Sequence, residues 1–259
     1  MPNTEDGLSV LPYIKEFKMK KLCVALSLAL VAGFASAEDA YSLEVEHPVT
    51  WVELGLAAPL QVPPSNWNVD GFRWSLFYSR SYKMRGFDLG LVGQCDDAFT
   101  GLALQTVNWV GNDFTGAQFG GLFNVVQGKM TGAQFGGVLN YNHDLVTGFQ
   151  SALINYDGAF VGGQIGIVNW DKGLCWGFEL GVINANVADF RGAEVGAVNY
   201  AERFSGLQLG VVNVVGETGS GCQIGVFNAA PKFQGCQIGF LNVIGNGDVP
   251  ILPVFNASF

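Results

Sequence analysis

Histidine is nearly absent from this chain and basic residues are scarce: two His, and 13 Lys plus Arg against 22 Asp plus Glu among 259 residues. A histidine-centred metal site needs several ligands at suitable spacing, so His47 and His143 read as solvated or locally bonded imidazoles. The acidic excess argues against nucleic acid or anionic headgroups as partners, because both need clustered Lys and Arg. Charged residues of either sign make up only 14%, while glycine numbers 36 and aromatics reach 13%. That balance excludes a disordered linker. Helical periodicity is also missing: outside residues 19–37 no stretch holds it for three turns, so helix content is expected to be near nil.

Residues 19–37, MKKLCVALSLALVAGFASA, have the order of a secretory signal peptide: a basic start, an apolar run from Leu22 to Phe34, and Ala35-Ser36-Ala37 before Glu38. The run is too short to span a bilayer comfortably. Residues 1–18 then read as an overextended start, 38–70 as an N-terminal capping segment, and 71–259 as a tandem repeat. The expected location is exported, at the cell surface or outer membrane. Without residues 1–37 the chain keeps nine basic and nineteen acidic residues.

The repeat is legible as a phrase, G-x-Q-[LI]-G-x-x-N. Aligned on its first glycine, units begin at Gly71, Gly86, Gly101, Gly116, Gly132, Gly148, Gly162, Gly177, Gly192, Gly206, Gly221 and Gly235, a spacing of 14 to 16 residues. The asparagine recurs from Asn108 to Asn242, and one more step reaches Asn256, which reads as a last unit. Regularity of this kind takes precedence over any local motif. Within a unit, Leu207, Leu209 and Val211 alternate with Gln208 and Gly210, which predicts a strand.

The fold class is therefore all-β, with two candidate architectures. In a β-solenoid of about 12–13 coils of 14–16 residues, each position stacks on its counterpart about 4.8 Å away, so repeated Gln and Asn form ladders. In an antiparallel up-and-down outer-membrane β-barrel, each unit is one strand, and aromatics such as Phe114 and Trp109 at its two ends mark the bilayer interfaces. The alternating Ile251, Phe255 and Phe259 resemble a last barrel strand. The repeated amides favour the solenoid.

The tandem phrase, preceded by GFRWSLFYSRSYKMRGFDLGLV and closed by PVFNASF, resembles the bacterial surface-repeat proteins first named from leptospires, over about residues 68 to 259. The resemblance implies an exported, surface-associated protein of unassigned activity and carries over no catalytic residues. Several units depart from the phrase: Glu179 and Glu194 replace Gln, Ala152 and Gln105 replace the second Gly, and Gly93 and Tyr78 replace Asn.

No catalytic, cofactor-binding or metal-ligating residue is assigned, and no cofactor or nucleotide is expected. The stretch GETGSG at 216–221 lacks the Lys-Ser/Thr ending and helix of a phosphate loop and reads as a turn. Asp113, Asp144, Asp171 and Asp189 read as turn residues out of register with one another, unlike a calcium repeat. Ser75, Ser79 and Ser81 read as exposed. Glu179 and Glu194 read as adjacent substitutions on a solvated row. Trp109, Tyr141, Tyr156, Trp170 and Tyr200 read as solenoid core or a bilayer belt. Of the cysteines Cys95, Cys175, Cys222 and Cys236, the last two occupy the same place in consecutive units, so a parallel stack sets them side by side. The function that follows is a non-enzymatic scaffold or interaction surface with a protein, glycan or membrane partner at the cell envelope. The competing reading is an integral barrel with a structural or pore role.

Overall fold

The computed structural model describes residues 46–259; the expectations for residues 1–18 and 19–37 lie outside them. The described chain is a β-solenoid of about 13 turns. Its eighteen strands form one hydrogen-bonded sheet with no helix among the described residues. Successive coils pair parallel and in register: Gly192 faces Gly206, Glu194 faces Gln208, and Asn184 faces Asn199. Parallel stacking excludes the up-and-down barrel, whose neighbouring strands run antiparallel.

Among the described residues only two strands run antiparallel to their neighbours, one near each end. Leu60–Val62 pairs with Val49–Ala57 near the N-terminal end, and Ile251–Ser258 pairs with Lys232–Ile244 at the C-terminal end. Asn256 therefore lies opposite Gln237 and is not the next asparagine of the stack. The final segment is a reversed strand covering the open edge of the last coil, which blunts further edge pairing.

The twelve phrase-initial glycines are the ones with positive φ, 115° to 146° from Gly86 to Gly235. L-residues avoid this region. A Cβ at any of these eleven would also lie 1.8–2.1 Å from the carbonyl oxygen of the glycine one coil earlier. Glycine recurs there because the coils approach too closely for any side chain. Differences in coil length are absorbed at bulges such as Asn186/Asp189 and Ala201/Arg203, which return the next coil to register.

The side-chain orientation is the reverse of the expected one. Around the phrase, Gln and Asn point inward and the aliphatic residue after the second glycine points outward: Gln208 and Asn213 are fully buried, whereas Val211 is 53% exposed. Four columns fill the interior. One is mainly apolar and runs through Phe99, Phe114, Met130, Val146, Phe160, Cys175, Phe190 and Phe204. The phenylalanines that could have marked a bilayer interface are thus core residues. Gly219 interrupts this column, and the Phe233 ring occupies the space beside it, 2.6 Å from where a Cβ would stand. GETGSG is accordingly not a turn but part of the strand Val212–Ile224.

The asparagine column shows why a polar interior is stable. Asn108 Nδ2 donates to Asn124 Oδ1, and the bond recurs coil by coil to Asn242, each 2.8 or 2.9 Å. The same amide nitrogens donate to a main-chain carbonyl of the following coil at 2.9–3.2 Å. Buried amides cost stability only when left unpaired, and here the coil spacing pairs them. Upstream, Gly93 takes the asparagine place and Ser79, not Tyr78, lies before it.

Candidate functional site

Two features of the solenoid carry chemistry: an apolar ridge outside and a carboxyl cluster inside. The ridge follows from the phrase. Residues flanking the second glycine point outward in every coil, and Leu153, Ile167, Val182, Val211, Val226 and Phe240 are 47% to 81% exposed. Main-chain bonds such as Val182 to Ile167 and Val226 to Val211 hold them in a row. Seven coils from Leu153 to Phe240 at about 4.8 Å give a row roughly 30 Å long. On the preceding coils a groove of about 530 Å³ opens between Phe119, Phe135 and glycines 90, 120, 121, 136 and 137, with Gln105, Thr106 and Ser151 as its polar lining and no ionisable side chain. Phe119 and Phe135 stack there with centroids 4.8 Å apart.

Several exposed charged side chains pair from coil to coil outside the interior columns, and Asp189, Arg203 and Glu217 among them lie within strands, not in turns. Arg203 bridges Asp189 and Glu217 across three coils, and Arg80 and Lys83 pair with Asp96 and Asp97 at 3.0 and 3.3 Å. Trp109, Tyr141, Tyr156, Trp170 and Tyr200 are half-buried on the outer surface and are not core, with Tyr141 and Tyr156 stacked at 5.3 Å. His47 stacks on Tyr82 at 3.6 Å and His143 lies exposed beside Asp144.

Inside, the glutamine column changes character along its length. From the C-terminal end, Gln237 donates to Gln223, Gln223 to Gln208, and Gln208 to Glu194 Oε2, at 2.6, 2.6 and 2.7 Å. Glu179 and Glu194 follow each other in register and are fully buried, so they do not stand on a solvated row. Facing them is a fourth column, apolar at both Val126 and Ala201 but polar between, through Asn142, Asp157, Asp171 and Asn186. Asp171 is thus not a turn residue; it ends the strand Val168–Asp171, in register with Asp157.

Asp157 accepts from Asn142 at 2.7 Å, from Gln164 at 2.5 Å and from Gln150. Asn186 Nδ2 donates to both Glu179 and Glu194, at 3.1 and 2.9 Å. Neither oxygen of Asp171 has a donor. Burial, followed by the neighbouring carboxyl, pushes Asp157 and Asp171 well above the usual carboxylate range. Burial raises Glu179 and Glu194 to about 8. Cys175 is held up by burial and then by the acids around it. Sequence reading missed Asp157, Asp171 and Cys175 as a group. The available signal was the residue two places after the asparagine, which turns polar in four consecutive coils.

At the N-terminal end of the same column, Glu53, Arg73 and Asp88 stack in register. Arg73 grips Asp88 through two bonds of 2.9 and 2.5 Å and donates to Ser81 Oγ at 2.7 Å. Ser75, Ser79 and Ser81 are buried, not exposed. Cys222 and Cys236 lie side by side as the stack requires, with Sγ atoms 3.1 Å apart and both thiols free. Comparison with protein-family models, curated proteins and solved structures finds no match.

Proposed function

We propose that this chain is an exported, non-enzymatic repeat scaffold of the bacterial cell envelope that lies with its apolar ridge against a lipid surface. The single observation that carries this reading is the outward row from Leu153 to Phe240, broken by a small residue at Ala197 alone. Scattered surface aliphatics need no explanation, but a contiguous apolar strip of this length marks an interaction surface. The strip offers aliphatic side chains and a groove without ionisable groups, which suits acyl chains better than a protein partner, whose interface would carry polar groups for register. Each of these six side chains contributes on the order of 1 kcal/mol on burial, so together they rival a single covalent acyl chain. The acidic balance means that association is apolar and not steered by anionic headgroups. The signal-like segment at 19–37 and the resemblance of the repeat to bacterial surface proteins support the same location.

Flotation on a density gradient with neutral phosphatidylcholine vesicles tests the reading. The chain is expected to float with the vesicles, equally at low and high salt, and a variant with Ile167→Asp, Val182→Asp and Val211→Asp is expected to stay at the bottom with an unchanged circular dichroism spectrum. A wild-type chain that remains monomeric and fails to float would reject it.

A further inference from the structure

The central carboxyl cluster is short of donors. Asp157, Asp171, Glu179 and Glu194 are fully buried, and among the described residues the only buried basic side chain is Arg73, which belongs to the N-terminal cluster. Amide nitrogens satisfy Asp157, Glu194 and one oxygen of Glu179. Both oxygens of Asp171, Oε1 of Glu179, Oε1 of Gln164 and Oδ1 of Asn186 are buried with no donor at all. The carboxyl oxygens of Asp171 and Glu179 without a donor, beside the Cys175 thiol, form an environment that a cation can satisfy in place of a shared proton. Asp171, Cys175 and Glu179 each turn a ligand atom toward the others, all within 4.8 Å. Zinc bonds of about 2.0–2.3 Å place tetrahedral ligand atoms roughly 3.5 Å apart, so closure needs a contraction of about 1 Å.

We propose that Asp171, Cys175 and Glu179 form a structural zinc site sealed inside the solenoid, with the Gln164 amide oxygen as the fourth donor. The ligand set selects the metal. A thiolate among carboxylates suits zinc, whereas calcium and magnesium take all-oxygen shells. On binding, the thiol and carboxyl protons leave for solvent and the ion's two positive charges take their place. The ligands are fully buried, so the ion enters while the coils form, and it would then exchange slowly. Four protein donors leave no open position, which makes the site structural rather than catalytic.

The test is metal content. The full chain is unfolded in denaturant with chelator, refolded with zinc or without it, desalted, and assayed for zinc per chain by plasma mass spectrometry. Protein purified from zinc-supplemented cells is assayed in parallel, so that poor refolding leaves the ratio readable. About one zinc per chain is expected, with a raised thermal midpoint over the zinc-free form. Cobalt in place of zinc should give thiolate-to-metal charge-transfer absorption. Asp171→Asn installs the residue found at Asn142 and Asn186 on the same column, and Glu179→Gln installs the residue of most coils, so both variants should fold. Each should lower zinc retention at least tenfold. Folded wild-type chain with less than about a tenth of a zinc by both routes would overturn the site. It would mean that Asp171 and Glu179 close the cluster by sharing a proton. Undiminished retention in both variants would overturn it equally.

Discussion

At the N-terminal end of the glutamine column a buried arginine pairs with Asp88, whereas at the centre Glu179 and Glu194 on that column and Asp157 and Asp171 on the column facing it have no such partner. The two regions share their backbone: both wind around phrase-initial glycines with positive φ, and both stack parallel in register. What differs is how buried charge is balanced. Arg73 supplies a bidentate pair to Asp88 and further bonds to Ser81 and the Gln94 carbonyl. The centre relies on amide donors from Asn142, Gln150, Gln164, Asn186 and Gln208, and these run out before Asp171. The regular backbone therefore constrains interior chemistry loosely, provided that each coil's donors and acceptors close with its neighbours'. The comparison also shows that this fold accommodates a buried guanidinium, so the missing cationic side chain at the centre is not imposed by space alone.

The comparison breaks most sharply at Arg73. Arg73→Met leaves Asp88 buried and unpaired and removes the positive charge beside Glu53, and truncating one partner of a buried ion pair costs about 4 kcal/mol. Urea unfolding should show that loss. Replacing the whole set as Glu53→Gln, Arg73→Met and Asp88→Ala should recover most of it, since Ala103 already occupies the next place in the column. If the single and triple variants are equally unstable, charge balance is not what Arg73 contributes. A neutral reference comes from the C-terminal coils. Asn213 accepts from Asn199 and donates to Asn228 and to the Ile224 carbonyl. Asn213→Ala strands those groups and opens a small void, for an expected loss of about 3 kcal/mol by the same measurement. A loss below 1 kcal/mol would show that water or rotamer changes replace the ladder, which would weaken the donor count at the centre as well.

Much of the fold was legible because its cause lies in the repeat. A glycine every 14 to 16 residues, with the same amides behind it, has a simple physical explanation only if equal positions stack, and the pairing of Cys222 with Cys236 follows from that register. The inside and outside of the coil were not legible. The hydrophobic pattern gives a strand with two faces, and the usual assumption buries the aliphatic one. Here amide spacing equals coil spacing, so the polar face can satisfy itself in the dark while Leu207 and Val211 turn outward. The same inversion hid the central cluster: Glu179 and Glu194 look like harmless surface variation until their row is known to be buried. The C-terminal reversal was hidden too, because Asn256 keeps the repeat spacing while its strand runs the other way.

The gentlest probe of the comparison asks how many acids Arg73 can hold ionised. Glu53 is buried one coil before it, and neither of its oxygens has a hydrogen-bond donor. Burial raises its carboxyl to about 7 from an ordinary 4.5, and this outweighs the opposing pull of Arg73. The carboxyl is thus easier to protonate in the folded chain than in the unfolded one, so folding takes up a proton between these two values. Stability should fall as pH rises from about 4.5 to 7, by roughly 1 kcal/mol for each pH unit crossed, and the Glu53 contribution should change little above that. Glu53→Gln removes the titrating group, so denaturant unfolding across this window should show a flatter profile for the variant, with its largest advantage over wild type near pH 7 and above. Parallel profiles for the two proteins would mean that Glu53 stays charged against Arg73. The N-terminal guanidinium would then serve two acids at once, and the contrast with the arginine-free centre would be sharper still.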